Sequence, residues 1–169
     1  GGASTLTLAT DGASLRLNGP TTLASRVVLT TGSGTGDVTL TNDTPVDSEA
    51  NEFNDLVLDV GAGSVFINED LGRANRLGAL TVLSAGGGVT FGQSTTEVPG
   101  AGGKGPVEVI NTDGAIDIGV GANAIGGTGV VFRGSAIART TITTTGDSVR
   151  INGATSLGTD LTVKTGAGG

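Results

Sequence analysis

Eight of the sixteen acidic residues, Asp43, Asp47, Glu49, Glu52, Asp55, Asp59, Glu69 and Asp70, fall between positions 43 and 70 with no Lys or Arg among them. Carboxylates are the hard oxygen ligands that Ca²⁺ takes. Asp43, Asp47, Glu49, Glu52 and Asp55 are near enough in sequence to share one loop and are the candidate calcium ligands. Their spacing matches neither an EF-hand loop nor the Gly-Gly-x-Gly-x-Asp nonapeptide of calcium-binding β-rolls. The favoured reading of the cluster is a solvated acidic loop, or charge that opposes lateral association of strands, with calcium as the weaker alternative. Asp113 and Asp117 form a second carboxylate pair, of the type that hydrolyses glycosidic bonds. Against catalysis, the chain has no His to act as a general base, no Cys nucleophile, and neither Tyr nor Trp to hold a sugar. The expectation is that it is not an enzyme, with a polysaccharide-acting enzyme as the remote alternative.

Two further patterns concern surfaces. Thr-x-Thr occurs at Thr5 and Thr7, Thr39 and Thr41, Thr141 and Thr143, and Thr143 and Thr145. An ice-binding face would need such threonines at one place in successive repeats, but the corresponding residues here are Val57, Thr81 and Glu108, so the ladder is broken. Threonine on the outer side of strands follows from β-propensity alone. Asn18-Gly19 and Asn152-Gly153 are turn dipeptides. Asn42-Asp43-Thr44 is a formal glycosylation sequon.

Composition narrows the partners. The net charge is −7 and the nine basic residues are scattered singly, so there is no basic stripe for nucleic acid and no polybasic membrane patch. No apolar run approaches the length of a membrane-spanning helix. Without Cys, stability must come from packing rather than disulfides. The 32 glycines lack a collagen period.

The elements that position these residues are set by a repeat. A 13-residue pattern with apolar residues at positions 2, 4, 11 and 13 recurs at 5–17, 55–67, 79–91, 106–118 and 139–151. A variant with a longer turn occupies 26–40, and a further copy begins at 160. Over the five ungapped copies 19 of the 20 marked positions are apolar, Thr140 being the exception. Alternation of period two marks strands with one buried face, so each copy is two strands about a short turn. Copies start 21 to 33 residues apart, the length of one coil of a three-faced solenoid. Variable spacers disfavour an antiparallel sandwich. The third face is expected at Leu23, Phe53, Leu77 and Leu157, with 130–132 as the third strand of the longest coil.

A second, longer repeat is present. Residues 7–34 match 141–168 at 12 of 28 positions, so the block of coils restarts 134 residues on. LGALTVLSAGGGVTFGQ (77–93) and FNDLVLDVGAGSVFINEDLG (53–72) resemble the repeats of giant bacterial surface proteins, the filamentous-haemagglutinin-like and autotransporter-like adhesins. The resemblance covers residues 5–168 and carries no receptor-binding motif. It implies a right-handed parallel β-helix, secretion to the cell surface, and a structural or adhesive role.

The expected architecture is therefore all-β: one right-handed parallel β-solenoid over 1–169, with six to seven coils of 21–33 residues and a length of about 30 Å at the usual strand spacing. Two buried columns are expected. One runs through Leu6, Val27, Leu56, Leu80 and Val107; the other runs through Leu17, Leu40, Ile67, Phe91, Ile118 and Ile151. The expected function is a rigid segment of an extracellular fibre or adhesin shaft. Its expected partner is itself, through continuation of the array past both ends or end-to-end stacking. The alternative is an adhesive module that meets a receptor or glycan through spacers 41–54, 92–105 and 119–138. No cofactor is expected beyond the calcium candidate.

Overall fold

Period-two alternation produces strands whose apolar residues all face one interior. The structure, a computed structural model, describes residues 4–41, 45–92, 107–120, 124–134 and 139–166. In chain order the strands are β1 (Thr5–Ala9), β2 (Leu15–Asn18), β3 (Thr21–Leu23), β4 (Arg26–Thr30), β5 (Val38–Thr41) and β6 (Val46–Ser48). These are followed by β7 (Leu56–Asp59), β8 (Ser64–Ile67), β9 (Leu80–Ser84), β10 (Gly88–Phe91) and β11 (Val109–Asn111). The remainder are β12 (Ile116–Ile118), β13 (Val130–Phe132), β14 (Arg139–Thr143), β15 (Val149–Ile151), β16 (Thr155–Leu157) and β17 (Asp160–Lys164). The described residues contain no helix.

All strand pairs are parallel, and the chain winds as a β-solenoid of about five turns with three faces. Face A carries β1, β4, β7, β9, β12 and β15; face B carries β2, β5, β8, β10, β13 and β16. Face C is assembled from the pair β3 and β6, the single residue Leu71 bridged to Val46 and Ile110, and the sheet β11, β14 and β17. Side chains alternate in and out along each strand. The inward residues form one core in which Leu29, Leu58, Val65, Ile67, Leu80 and Val89 are almost fully buried. In the outermost described turns one side of each core layer is uncovered, which leaves Leu6, Leu157 and Val163 about half exposed.

The expected columns hold for four layers and then change. Leu6, Val27, Leu56 and Leu80 stack on face A, and Leu17, Leu40, Ile67 and Phe91 stack on face B. The next residue above Leu80 is Ile116, not Val107, and above Phe91 it is Phe132, not Ile118. Ile118 and Ile151 do pair with each other, but on face A. The change comes on face C, where Leu71 alone stands for turn three. Residues 108–111 stack on it as the next layer: Leu71 bridges Ile110, the Leu71 amide donates to the Val109 carbonyl at 2.9 Å, and Asp70 Oδ1 accepts the amides of Glu108 and Val109. The copy at 106–118 is therefore one face out of phase: its first strand, β11, ends turn four on face C, and its second, β12, opens turn five on face A. The count falls from six or seven coils to about five turns, and successive partners on face A (Val27, Leu56, Leu80, Ile116, Val149) are up to 36 residues apart. For the same reason 130–132 is the face B strand of its turn, and Leu157 also lies on face B.

Two polar details correct or complete the apolar pattern. Phe53 is not a core residue: Asn51 and Phe53 both take positive φ, which turns the ring outward to 42% exposure. Asn54 goes inward instead, donating from Nδ2 to the Leu23 carbonyl at 2.8 Å, while its amide donates to Ser48 Oγ. Thr140, the exception in the pattern, is buried with its hydroxyl donating to the Val107 carbonyl at 2.7 Å, so its polar atom has a partner. On face A the register between β7 and β9 shifts at Leu58/Asp59, a bulge that leaves Leu83 partly exposed.

Candidate functional site

The acidic residues do not converge. Among the described residues no three His, Cys, Asp or Glu side chains form a group able to hold a metal ion. Asp43 lies outside the described residues, as do the sequon at 42–44 and most of the spacer 92–105. Asp37, Asp47, Asp55 and Asp59 are engaged separately, each with a partner on the next turn, and Asp55 also lies 3.9 Å from Arg26 on the turn before. Asp37 Oδ1 accepts the Ser64 amide at 2.7 Å, and Asp55 Oδ1 the Ala79 amide at 2.9 Å. Asp47 Oδ1 accepts the amides of Ala74 and Asn75, and Asp59 accepts the Ser84 hydroxyl. A carboxylate that accepts backbone N–H groups forms charge-assisted bonds. Here those bonds tie one turn to the following one at the corners, where the sheet ladders are interrupted. Glu49 and Glu52 sit on the exposed corner between β6 and β7, and the Glu49 amide donates to the Leu23 carbonyl.

Asp70 is the most heavily engaged of these. Besides its two amides it pairs with Arg73, which reaches Glu108 at 2.6 Å from Nη2. Glu108 and Asp70 together push the Arg73 guanidinium above its already high ordinary value, so it stays charged throughout the accessible pH range. Asp70→Ala is expected to lower stability by about 2–3 kcal/mol, because two amides at the start of β11 and one guanidinium lose their acceptor. Urea denaturation followed by circular dichroism measures this. A change below about 0.5 kcal/mol, the range of ordinary surface substitutions, would show that the staple is unimportant.

The proposed hydrolytic pair is also engaged separately. Asp113, at the corner before β12, accepts the Thr145 hydroxyl at 2.8 Å and lies 3.5 Å from Arg76. Asp117, on the outer side of face A, pairs with Arg150 at 2.7 Å. Asp117 in turn raises the affinity of Arg150 for its proton. An open depression beside Asp113 is lined by Arg76, Asn111, Thr143, Thr144, Thr145 and Gly166. Arg76, which lines it, is already paired with Asp113. The outer column of face A reads Thr7, Val28, Val57, Thr81, Asp117 and Arg150, so the threonine ladder is broken as expected, with Asp117 in place of Glu108.

One class of functional residue escaped the sequence reading. A threonine closes the corner after the first strand of several repeat copies by donating its hydroxyl to a carbonyl of the same turn. Thr10 donates to Ala13, Thr112 to Gly114 at 2.7 Å, and Thr144 to Asp147. Fully buried Thr31 lies within hydrogen-bonding distance of the carbonyls of Gly36 and Val60. The signal is present in the sequence as a threonine one or two residues before the corner glycine at 12, 32, 114 and 146. These aspartates and threonines thus bond one turn to the next or close a corner within a turn, and the described residues show no group of His, Cys, Asp or Glu side chains that could hold a metal ion. No helix among them is long and apolar enough to cross a membrane.

Comparison of the chain with protein-family models, with curated proteins and with solved structures yields no match.

Proposed function

We propose that the chain is a rigid structural segment of an extracellular bacterial fibre or adhesin shaft, of the filamentous-haemagglutinin-like or autotransporter-like kind, with no catalytic role. The observation that carries this is the continuity of bonding along the axis. Faces A and B are unbroken six-stranded parallel sheets, and aspartates and threonines bridge turn to turn where the ladders stop. In such a quasi-one-dimensional stack each turn is held by its neighbours, so stiffness follows from repetition and function resides in length. The cell surface is the proposed location. The proposed partner is another coil of the same kind, paired edge to edge along the axis; nucleic acid and membrane insertion have no part in it.

Immunogold labelling with an antibody raised against this chain is expected to decorate fibres or shafts at the bacterial surface. Label confined to the cytosol would sink the proposal. Because unpaired strand edges template further pairing, sedimentation velocity is expected to show linear oligomers that grow with protein concentration. A single monomeric species at all concentrations would remove the self-association arm.

A further inference from the structure

Four consecutive strands return 134 residues later at the same positions. β1, β2, β3 and β4 correspond to β14, β15, β16 and β17, with starting residues 5, 15, 21 and 26 becoming 139, 149, 155 and 160. The pairing register returns as well: Thr5 faces Arg26, and Arg139 faces Asp160. Corner bonds return too. Thr10 donates to Ala13 as Thr144 donates to Asp147, and Thr21 donates to Gly19 as Thr155 donates to Gly153, both of the latter at 3.1 Å. This agreement in strand, register and hydrogen bond marks one structural unit used twice.

The two uses do not share faces. β1 and β4 lie on face A, but β14 and β17 lie on face C; β2 lies on face B, but β15 lies on face A; β3 lies on face C, but β16 lies on face B. The described residues of the unit contain fourteen strand positions, β1 to β13 and the bridging residue Leu71, and fourteen is not a multiple of three. One unit therefore advances the chain by five turns less one face.

We infer that this 134-residue unit propagates with a one-face lag, so that equivalent surfaces of successive units point in three directions in turn and realign only with the fourth. The inference deepens the shaft reading and rests on it for its role. Arg16 is outward on face B and its equivalent Arg150 is outward on face A, so the lag is already visible within this chain. Each unit adds about 22 Å of length at the usual strand spacing. Any exposed feature carried once per unit is presented around the whole circumference rather than in a single row. Parallel shafts consequently meet unlike faces, which opposes the in-register lateral pairing to which long flat sheets are prone.

The chain has no cysteine, so introduced pairs report without background. Val109→Cys with Thr141→Cys places the two thiols on paired residues of neighbouring strands. Asp117→Cys with Thr141→Cys would be the neighbouring pair if the unit restarted in phase on face A. Under mild oxidation the first pair is expected to cross-link about tenfold more than the second, as disulfide geometry demands adjacent Cα atoms; the reverse would overturn the lag. A second polypeptide appends residues 35–168 after residue 168 of the full chain. It is expected to lengthen by about 22 Å in X-ray scattering. In it, Arg150→Cys is expected to cross-link with Thr39→Cys of the appended copy, because Arg16 pairs with Thr39. If the extension stays ordered but Ser156→Cys captures that cysteine instead, the lag fails and the shaft reading stands. If the appended block remains unstructured, the shaft reading fails.

Discussion

Gly63→Ala is expected to cost about 3 kcal/mol or more and to uncouple the turns on either side of the corner between faces A and B. A Cβ at Gly63 would lie 2.0 Å from the Gly36 carbonyl oxygen and 2.7 Å from its carbon, both backbone atoms that cannot swing aside. The same crowding recurs along the axis, since a Cβ at Gly127 would lie 2.3 Å from the Gly87 oxygen. At this corner one turn rests on the next backbone to backbone, and the Cα hydrogen is all that fits between them. Relief requires the two turns to separate locally, which also strains the bond from the Gly87 amide to the Gly63 carbonyl at 2.8 Å. Gly153→Ala is the contrasting substitution. Its nearest atoms are carbons of the Ile125 side chain at 3.3 Å, in a backbone conformation open to any residue. There the lower entropy of the unfolded chain offsets part of the crowding, so a change within about 1 kcal/mol is expected. Thermal melts followed by circular dichroism compare the two, with about 2–4 °C expected per kcal/mol for a domain of this size. A Gly63→Ala protein that melts with Gly153→Ala would show that the corners are looser than described.

The glycine effect also indicates what the sequence could and could not convey. Period-two alternation told which side chains face inward: Leu56, Leu58, Val65 and Ile67 are all buried, as the pattern requires. It could not tell which face a strand occupies, because every face of a three-sided solenoid has the same period and an inward column looks alike on each. The assignment held while turns were short. It slipped one face after β10, because the next strand, β11, stacks on Leu71 on face C and so completes a turn instead of starting one. The acidic residues escaped for a different reason. Asp37, Asp47 and Asp55 look solvated in a linear reading, and the amides they accept lie 24 to 28 residues ahead. Only the stacking of turns brings donor and acceptor together. Phe53 misled because a single aromatic before the next copy resembles a third-face anchor, whereas the positive φ at Asn51 and Phe53 hands that inward place to Asn54.

Phe91→Ala is expected to cost about 3–5 kcal/mol, the range for removing a buried aromatic side chain. The Phe91 ring is 1% exposed and stacks on the ring of Phe132 with centroids 4.8 Å apart and planes 6° from parallel. The separation matches the spacing of neighbouring strands, so the stack follows directly from β13 lying on β10 in register. A double-mutant cycle turns that geometry into a measurement. Phe91→Leu and Phe132→Leu keep an apolar side chain in each layer but remove the ring-on-ring contact, and a coupling of about 0.5–1.5 kcal/mol is expected between them. Pairing Phe91→Leu with Ile118→Val tests the arrangement that a continuous in-phase pattern would produce. Ile118 pairs with Val82 and Ile151 on face A, so its coupling to Phe91 is expected to be the smaller of the two. Each turn's stability depends on its immediate neighbours, so the cycle reads the identity of the residue directly above Phe91. A larger coupling to Ile118 than to Phe132 would place β12 on face B, restore the in-phase count of turns, and remove the structural basis for the lag.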